Sequence, residues 1–118
     1  FNLSASHYMG GEISWECLSN GKYVFTLTAY RECSGITYGN TQTFTSNSPA
    51  GSISLSLVSG YPIDVSPVCN TDTVFSHITC GSATVANTGA VSEYRWQSSP
   101  VSVNGVPPAA GWQFKWGS

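Results

Sequence analysis

The chain has 118 residues, 41% hydrophobic and only 8% charged, with a formal net charge of -2; this length makes one folding unit the default, and the composition excludes a disordered, charge-solvated polymer. Ser and Thr supply 30 residues and aromatic side chains 15, an excess of β-formers over strong helix formers that excludes an all-α fold. Four basic residues, Lys22, Arg31, Arg95 and Lys115, are scattered singly and leave no footprint for a phosphate backbone, so nucleic acid is not an expected partner.

Nowhere do apolar residues recur with helical spacing over eleven or more positions, whereas period-two alternation recurs throughout, and that predicts strands. Segment 12 to 18 sets Ile13, Trp15 and Cys17 against Glu12, Ser14 and Glu16; segment 22 to 31 sets Tyr23, Phe25, Leu27 and Ala29 against Val24, Thr26, Thr28 and Tyr30. Between them stands Ser19-Asn20-Gly21. A two-residue Asn-Gly loop would place Glu16 beside Phe25 on the core face. A three-residue loop, with Gly21 in the left-handed conformation of a G1 bulge, instead pairs 18 with 22 and aligns Cys17, Trp15 and Ile13 with Tyr23, Phe25 and Leu27. That register predicts Ile13, Trp15, Phe25 and Leu27 in the core.

Further strands are predicted at 41 to 46, 52 to 58, 73 to 79, 91 to 98 and 111 to 116, separated by Gly, Pro and Asn clusters. Regular turn signals without helical crossovers predict an all-β chain, an immunoglobulin-like β-sandwich of about seven short antiparallel strands forming one module over 1–118. The polar, turn-rich start predicts Phe1 to Ser4 as an edge strand donated to a sheet or a loosely held segment, with Phe1 in an apolar contact.

Cys17, Cys33, Cys69 and Cys80 make no CxxC pair, and His7 and His77 show no metal-ligand spacing; the cysteines read as structural, in an oxidising compartment. A Cys69–Cys80 bond closes a ten-residue loop and is the expected disulfide, worth roughly 2–4 kcal/mol. Cys17 and Cys33 stand apart: along a straight second strand they lie about 33 Å from each other, against under ~7 Å for a bridge. Either their partners lie beyond residue 118, or the strand breaks near Arg31. No apolar run approaches the ~20 residues of a transmembrane helix, and Phe1-Asn2-Leu3-Ser4 lacks a signal-peptide pattern.

Several stretches carry a resemblance. Ser6-His7-Tyr8-Met9-Gly10-Gly11-Glu12-Ile13, Trp15-Glu16-Cys17-Leu18, Asn20-Gly21-Lys22-Tyr23 and Thr26-Leu27-Thr28-Ala29-Tyr30-Arg31-Glu32-Cys33-Ser34-Gly35 resemble the N-terminal module of large secreted proteins of Bacteroidota. Ser66-Pro67-Val68-Cys69, Thr79-Cys80-Gly81, Val91-Ser92-Glu93-Tyr94-Arg95-Trp96 and Pro107-Pro108-Ala109-Ala110-Gly111-Trp112-Gln113-Phe114-Lys115-Trp116 extend it nearly end to end. The resemblance implies cargo of the gliding-motility-associated, type IX secretion kind, secreted or on the cell surface and adhesive in role. Glu32 stands where that family has Asp, and Ser48 and Ala110 stand near positions where many members carry further cysteines. The chain stops at Trp116-Gly117-Ser118, before the family's usual Cys-Cys-Arg-Asn, which implies a fragment of a longer multidomain chain.

Function is weighed among three classes. Six carboxylates and two histidines show no G-x-S-x-G, HExxH or phosphate-loop pattern, so a hydrolase is the remotest reading and no enzyme is expected. His7 and Glu12 read better as hydrogen-bonding partners of the first strand's backbone than as a site. Asp64 and Asp72 show no DxDxDG run, and neither a metal nor another cofactor is expected. Trp112, Phe114 and Trp116 alternate with Gln113 and Lys115, and Tyr94 and Trp96 with Glu93 and Arg95. On an open face, Tyr94, Trp96, Trp112 and Trp116 would stack on sugar rings, the basis of a carbohydrate-binding alternative. Their polar alternates favour a core role. The expected function is therefore a non-catalytic structural or adhesion module, with other domains of the same chain or a cell-surface protein or glycan as partner.

Overall fold

Alternating side chains become strands where one face can be buried and the other solvated, and the computed structural model, which describes residues 8–33, 35, 37–66, 80 and 90–117, follows that rule. Its strands are β1 (Tyr8–Cys17), β2 (Tyr23–Glu32), β3 (Thr41–Ser46), β4 (Ile53–Leu57), β5 (Ile63–Asp64), β6 (Val91–Ser98) and β7 (Phe114–Trp116). No helix occurs among the described residues. The strands join one sheet in the order β1-β2-β6-β4-β3-β7, with β5 also on β6. The all-β, antiparallel expectation is met. The segments predicted at 1 to 4 and 73 to 79 lie outside the described residues.

Chain contacts divide into two compact units, one of 1–12, 28–38 and 59–95, the other of 13–27, 39–58 and 96–118. In the second unit, the β1–β2 turn has the three-residue geometry its sequence predicts. Leu18 N donates to Lys22 O at 2.8 Å, Gly21 N to Leu18 O at 3.0 Å, and Gly21 takes φ +83°, a conformation that favours glycine. Phe44 pairs with Ile53 across β3–β4, Leu57 with Trp96 across β4–β6, and Phe44 with Trp116 across β3–β7. Around these pairs Phe25, Leu27, Phe44, Ile53, Leu55 and Trp96 are buried. Phe25 meets Phe44 edge-on with ring centroids 6.3 Å apart and Phe114 at 4.8 Å.

Strand bounds differ from the sequence pattern where side chains capture the backbone. Instead of a strand from 111, only Phe114–Trp116 pairs: Gly111 turns with φ +81° and donates to Pro108 O, and Gln113 N donates to the Asn47 side chain at 2.8 Å. Trp15 corrects the core assignment, being 66% exposed. Among the described residues its strand has a neighbour on one side only, and the face that the hairpin register shares with Phe25 is incompletely covered at Trp15.

In the first unit, β5 pairs with β6 through Ile63–Glu93 and Asp64–Ser92, a two-residue strand too short for a periodic signal. Arg31, 9% exposed, donates from one terminal nitrogen to the carbonyls of Glu32, Cys33 and Gly35, and its guanidinium lies 5.8 Å from the Tyr94 ring centre. Arg95 bridges to Glu93 at 2.8 Å and covers Tyr61.

The disulfide joins Cys33 to Cys80, with Cα atoms 5.2 Å apart, which corrects the expected Cys69–Cys80 pairing. Proximity in sequence is overridden by two backbone ties. Cys33 N donates to Ala90 O, and Cys80 N to Asp64, whose strand lies on β6, so both cysteines are drawn to the start of β6. Cys17 is free and exposed, consistent with the distance argument against a Cys17–Cys33 bridge. Cys69 lies outside the described residues.

Two stability outcomes follow. Trp96→Ala is expected to cost about 3–5 kcal/mol in urea unfolding, because the cavity it leaves is fully enclosed. Replacing both Cys33 and Cys80 by Ala is expected to cost about 2–5 kcal/mol, since the bond closes a long loop; reductant should destabilise the parent chain and leave that variant unchanged.

Candidate functional site

Uncovered apolar surface on an end strand marks the candidate site. Ile13 and Trp15 of β1 and Tyr23 and Phe25 of β2 occupy the inward positions of their hairpin, and together with Phe114 of β7 they line one side of a groove. Its other side is the connection between β6 and β7, which contributes Val103, Gly105, Pro107 and Trp112. The groove has a volume of about 570 Å³, within the range of ligand-binding clefts. Phe25, 2% exposed, lies deep, and Trp15 stands open to solvent.

The β6–β7 connection is held at both ends. Tyr23 and Val101 exchange two backbone hydrogen bonds of 2.8 Å, tying its start to β2. At its far end Gln113 and Asn47 bond each other through the Asn47 side chain and backbone. Pro107 and Pro108 restrict the chain between them, while Gly105, at φ +107°, makes the reversal that a Cβ would strain. The wall is thus formed before a ligand arrives, which lowers the ordering cost of binding.

No charged side chain lines the groove, and among its lining residues only Tyr23, Trp15 and Trp112 have a side-chain polar atom, the phenol oxygen and two indole nitrogens. Such a surface can hold apolar groups or stack on flat ones.

Only part of the expected aromatic set reaches it. Tyr94 and Trp96, at 3% and 0% exposure, are core residues, so the stacking role considered for them is corrected. Trp96 donates its indole N–H to Gly39 O at 3.0 Å. Trp116 is half-buried, donates to the Gln42 side chain and lies 6.3 Å from Trp96. Trp112 lines the groove. Sequence reading missed Trp15 and Tyr23 because alternation reports which face a residue occupies and not whether another element covers it.

Asp64 is engaged in backbone ties. Its carboxylate accepts from Ser66 N at 2.9 Å and Cys80 N at 2.9 Å and from the Ser66 hydroxyl. These donors, the Ser66 hydroxyl foremost, hold its pKa below the usual 3.8. Asp72, His7 and His77 lie outside the described residues.

A depressed folded-state pKa contributes stability that is present above the unfolded value and lost as pH falls through the folded one. Asp64→Asn is therefore expected to lower the urea midpoint near neutral pH, with the gap to the parent closing as pH drops below 3.8; a pH series of unfolding curves checks it. Compared with protein-family models, curated proteins and solved structures, the chain finds no match in any of the three.

Proposed function

We propose that the chain is a non-catalytic structural or adhesion module of a secreted or cell-surface multidomain bacterial protein, and that its contact surface is the groove flanked by Trp15. The carrying observation is the 66% exposed indole beside a preformed apolar groove on an end strand. An uncovered aromatic at such a place costs solubility unless another surface covers it, which favours a binding role. In this reading the seven strands form an immunoglobulin-like unit, and the Cys33–Cys80 bond fits, weakly, an oxidising extracellular setting. The resemblance to secreted Bacteroidota modules supplies the proposed class of parent protein and its type IX route of export. Partners in this reading are protein surfaces, including other domains of the same chain, and not nucleic acid.

A carbohydrate-binding role is the second reading, and Trp15 with Trp112 is the specific observation favouring it, since both line the groove and indole faces stack on sugar rings. It is the weaker of the two. Sugars present many hydroxyls, and the groove's lining side chains offer only one phenol and two indole N–H groups to receive them.

Beads coated with the chain are expected to adhere to one another or to bacterial surface protein, and Trp15→Ser is expected to reduce that adhesion at least about tenfold, an energy of ~1.4 kcal/mol. Titration with soluble polysaccharides, read by tryptophan emission, is expected to give no saturable shift. A saturable shift abolished by Trp15→Ser would establish the carbohydrate reading instead.

A further inference from the structure

Asn-Gly occurs twice in the chain, as Asn20-Gly21 in the β1–β2 turn and as Asn104-Gly105 in the β6–β7 connection. Such a pair carries its own chemistry. The side-chain amide carbon of Asn lies within reach of the next residue's backbone nitrogen, and glycine has no side chain to screen the approach. The fold treats the two pairs differently. At the turn, Asn20 Oδ1 accepts from Lys22 N at 3.0 Å and Gly21 N donates to Leu18 O at 3.0 Å, so both reacting groups are held by the bonds that close the hairpin. In the connection, neither the Asn104 amide nor the Gly105 N–H has a hydrogen-bond partner among the described residues. Asn104 and Gly105 are exposed, and Val106 after them is 90% exposed, which opens the pair to water and base.

We propose that Asn104 is a site of spontaneous hydrolytic modification, converted in the folded chain to aspartate and isoaspartate while the turn protects Asn20. Gly105 N gives its proton to a solvent base and attacks Asn104 Cγ. The N–Cγ bond forms, the Cγ–Nδ2 bond breaks, and the amide nitrogen takes a proton from solvent and leaves as ammonia. Water then opens the resulting cyclic imide at one of its two carbonyls. Opening at Cγ gives aspartate; opening at the Asn104 backbone carbonyl gives isoaspartate, whose chain runs through the side chain and is one atom longer. No electrons are transferred, and water is the sole co-reactant.

The position gives the reaction a consequence. Val103 and Gly105, on either side of Asn104, both line the groove, and residues 99 to 113 contain no Asp, Glu, Lys or Arg. Conversion sets a carboxylate, ionised near neutral pH, beside an uncharged wall. The isoaspartyl form also lengthens that wall between its ties at Val101 and Gln113. The groove thereby turns from neutral to anionic with age.

Peptide mapping tests the inference and is independent of what the groove binds. The chain is incubated at mildly alkaline pH, either folded or in guanidinium chloride, and digested with trypsin. The fragment of residues 96–115 holds Asn104 as its single Asn, and the fragment of residues 1–22 holds Asn20. In the folded chain Asn104 is expected to exchange amide for acid at least about tenfold faster than Asn20. In denaturant, where the turn bonds are gone, the two are expected to convert at matching rates. Asn104→Gln, which must close a larger ring, is expected to remove the change from fragment 96–115 on the same timescale. An unchanged fragment 96–115 in the folded chain, an Asn20 that converts as fast as Asn104 there, or a difference that persists in denaturant would each overturn the inference.

Discussion

Burial of the Trp96 indole is the constraint around which the groove-bearing unit is organised. The side chain is wholly excluded from solvent, and removing a surface of its size from water contributes roughly 4–6 kcal/mol as an upper figure. Its N–H must then find an acceptor inside, and Gly39 O supplies it. Leu57 of β4 is paired directly opposite, and the Trp116 ring lies beside it. β3, β4, β6 and β7 thereby acquire a fixed register, which also buries Phe44 and Leu55.

The other unit meets a different problem, because its core is small and partly polar. Ala29, Ala90 and Tyr94 are its buried apolar residues among those described. Buried Arg31 is tolerated because three carbonyls accept from one of its nitrogens and the Tyr94 ring faces its charge. The same three bonds gather the chain just after β2, where Cys33 starts the disulfide. Asp64 performs the matching task for Cys80, whose backbone N–H it accepts. Hydrogen bonds and a covalent link thus do what apolar area does in the groove-bearing unit.

The proposed contact role rests on what this arrangement leaves uncovered. β1 and β7 end the sheet order among the described residues, and both contribute aromatic side chains to the groove. Neither strand carries a proline or an inward-pointing charge within Ile13–Cys17 or Phe114–Trp116, the devices that commonly keep an edge from associating. Glu16 of β1 and Lys115 of β7 are nonetheless exposed charges, so what stays uncovered is the apolar face that carries Trp15. This uncovered face supports the adhesion reading proposed for the module.

Alternation along the chain was sufficient to assign the all-β class, four of the strands closely, and the three-residue turn at Ser19-Asn20-Gly21, because pleat period and turn chemistry are local properties. It also placed Phe25, Leu27, Tyr94 and Trp96 inside, although Glu93, expected as an outward partner, is itself buried at 9% exposure and bridged to Arg95. Two outcomes were beyond local pattern. Cys80 found Cys33 and not its neighbour in sequence, because strand pairing brought Ala90 and Asp64 to the same end of β6. Trp15 had the pattern of a core residue, and only the position of β1 at the end of the sheet leaves it open. Periodicity determines which face a side chain takes, and tertiary packing alone decides whether anything lies against that face.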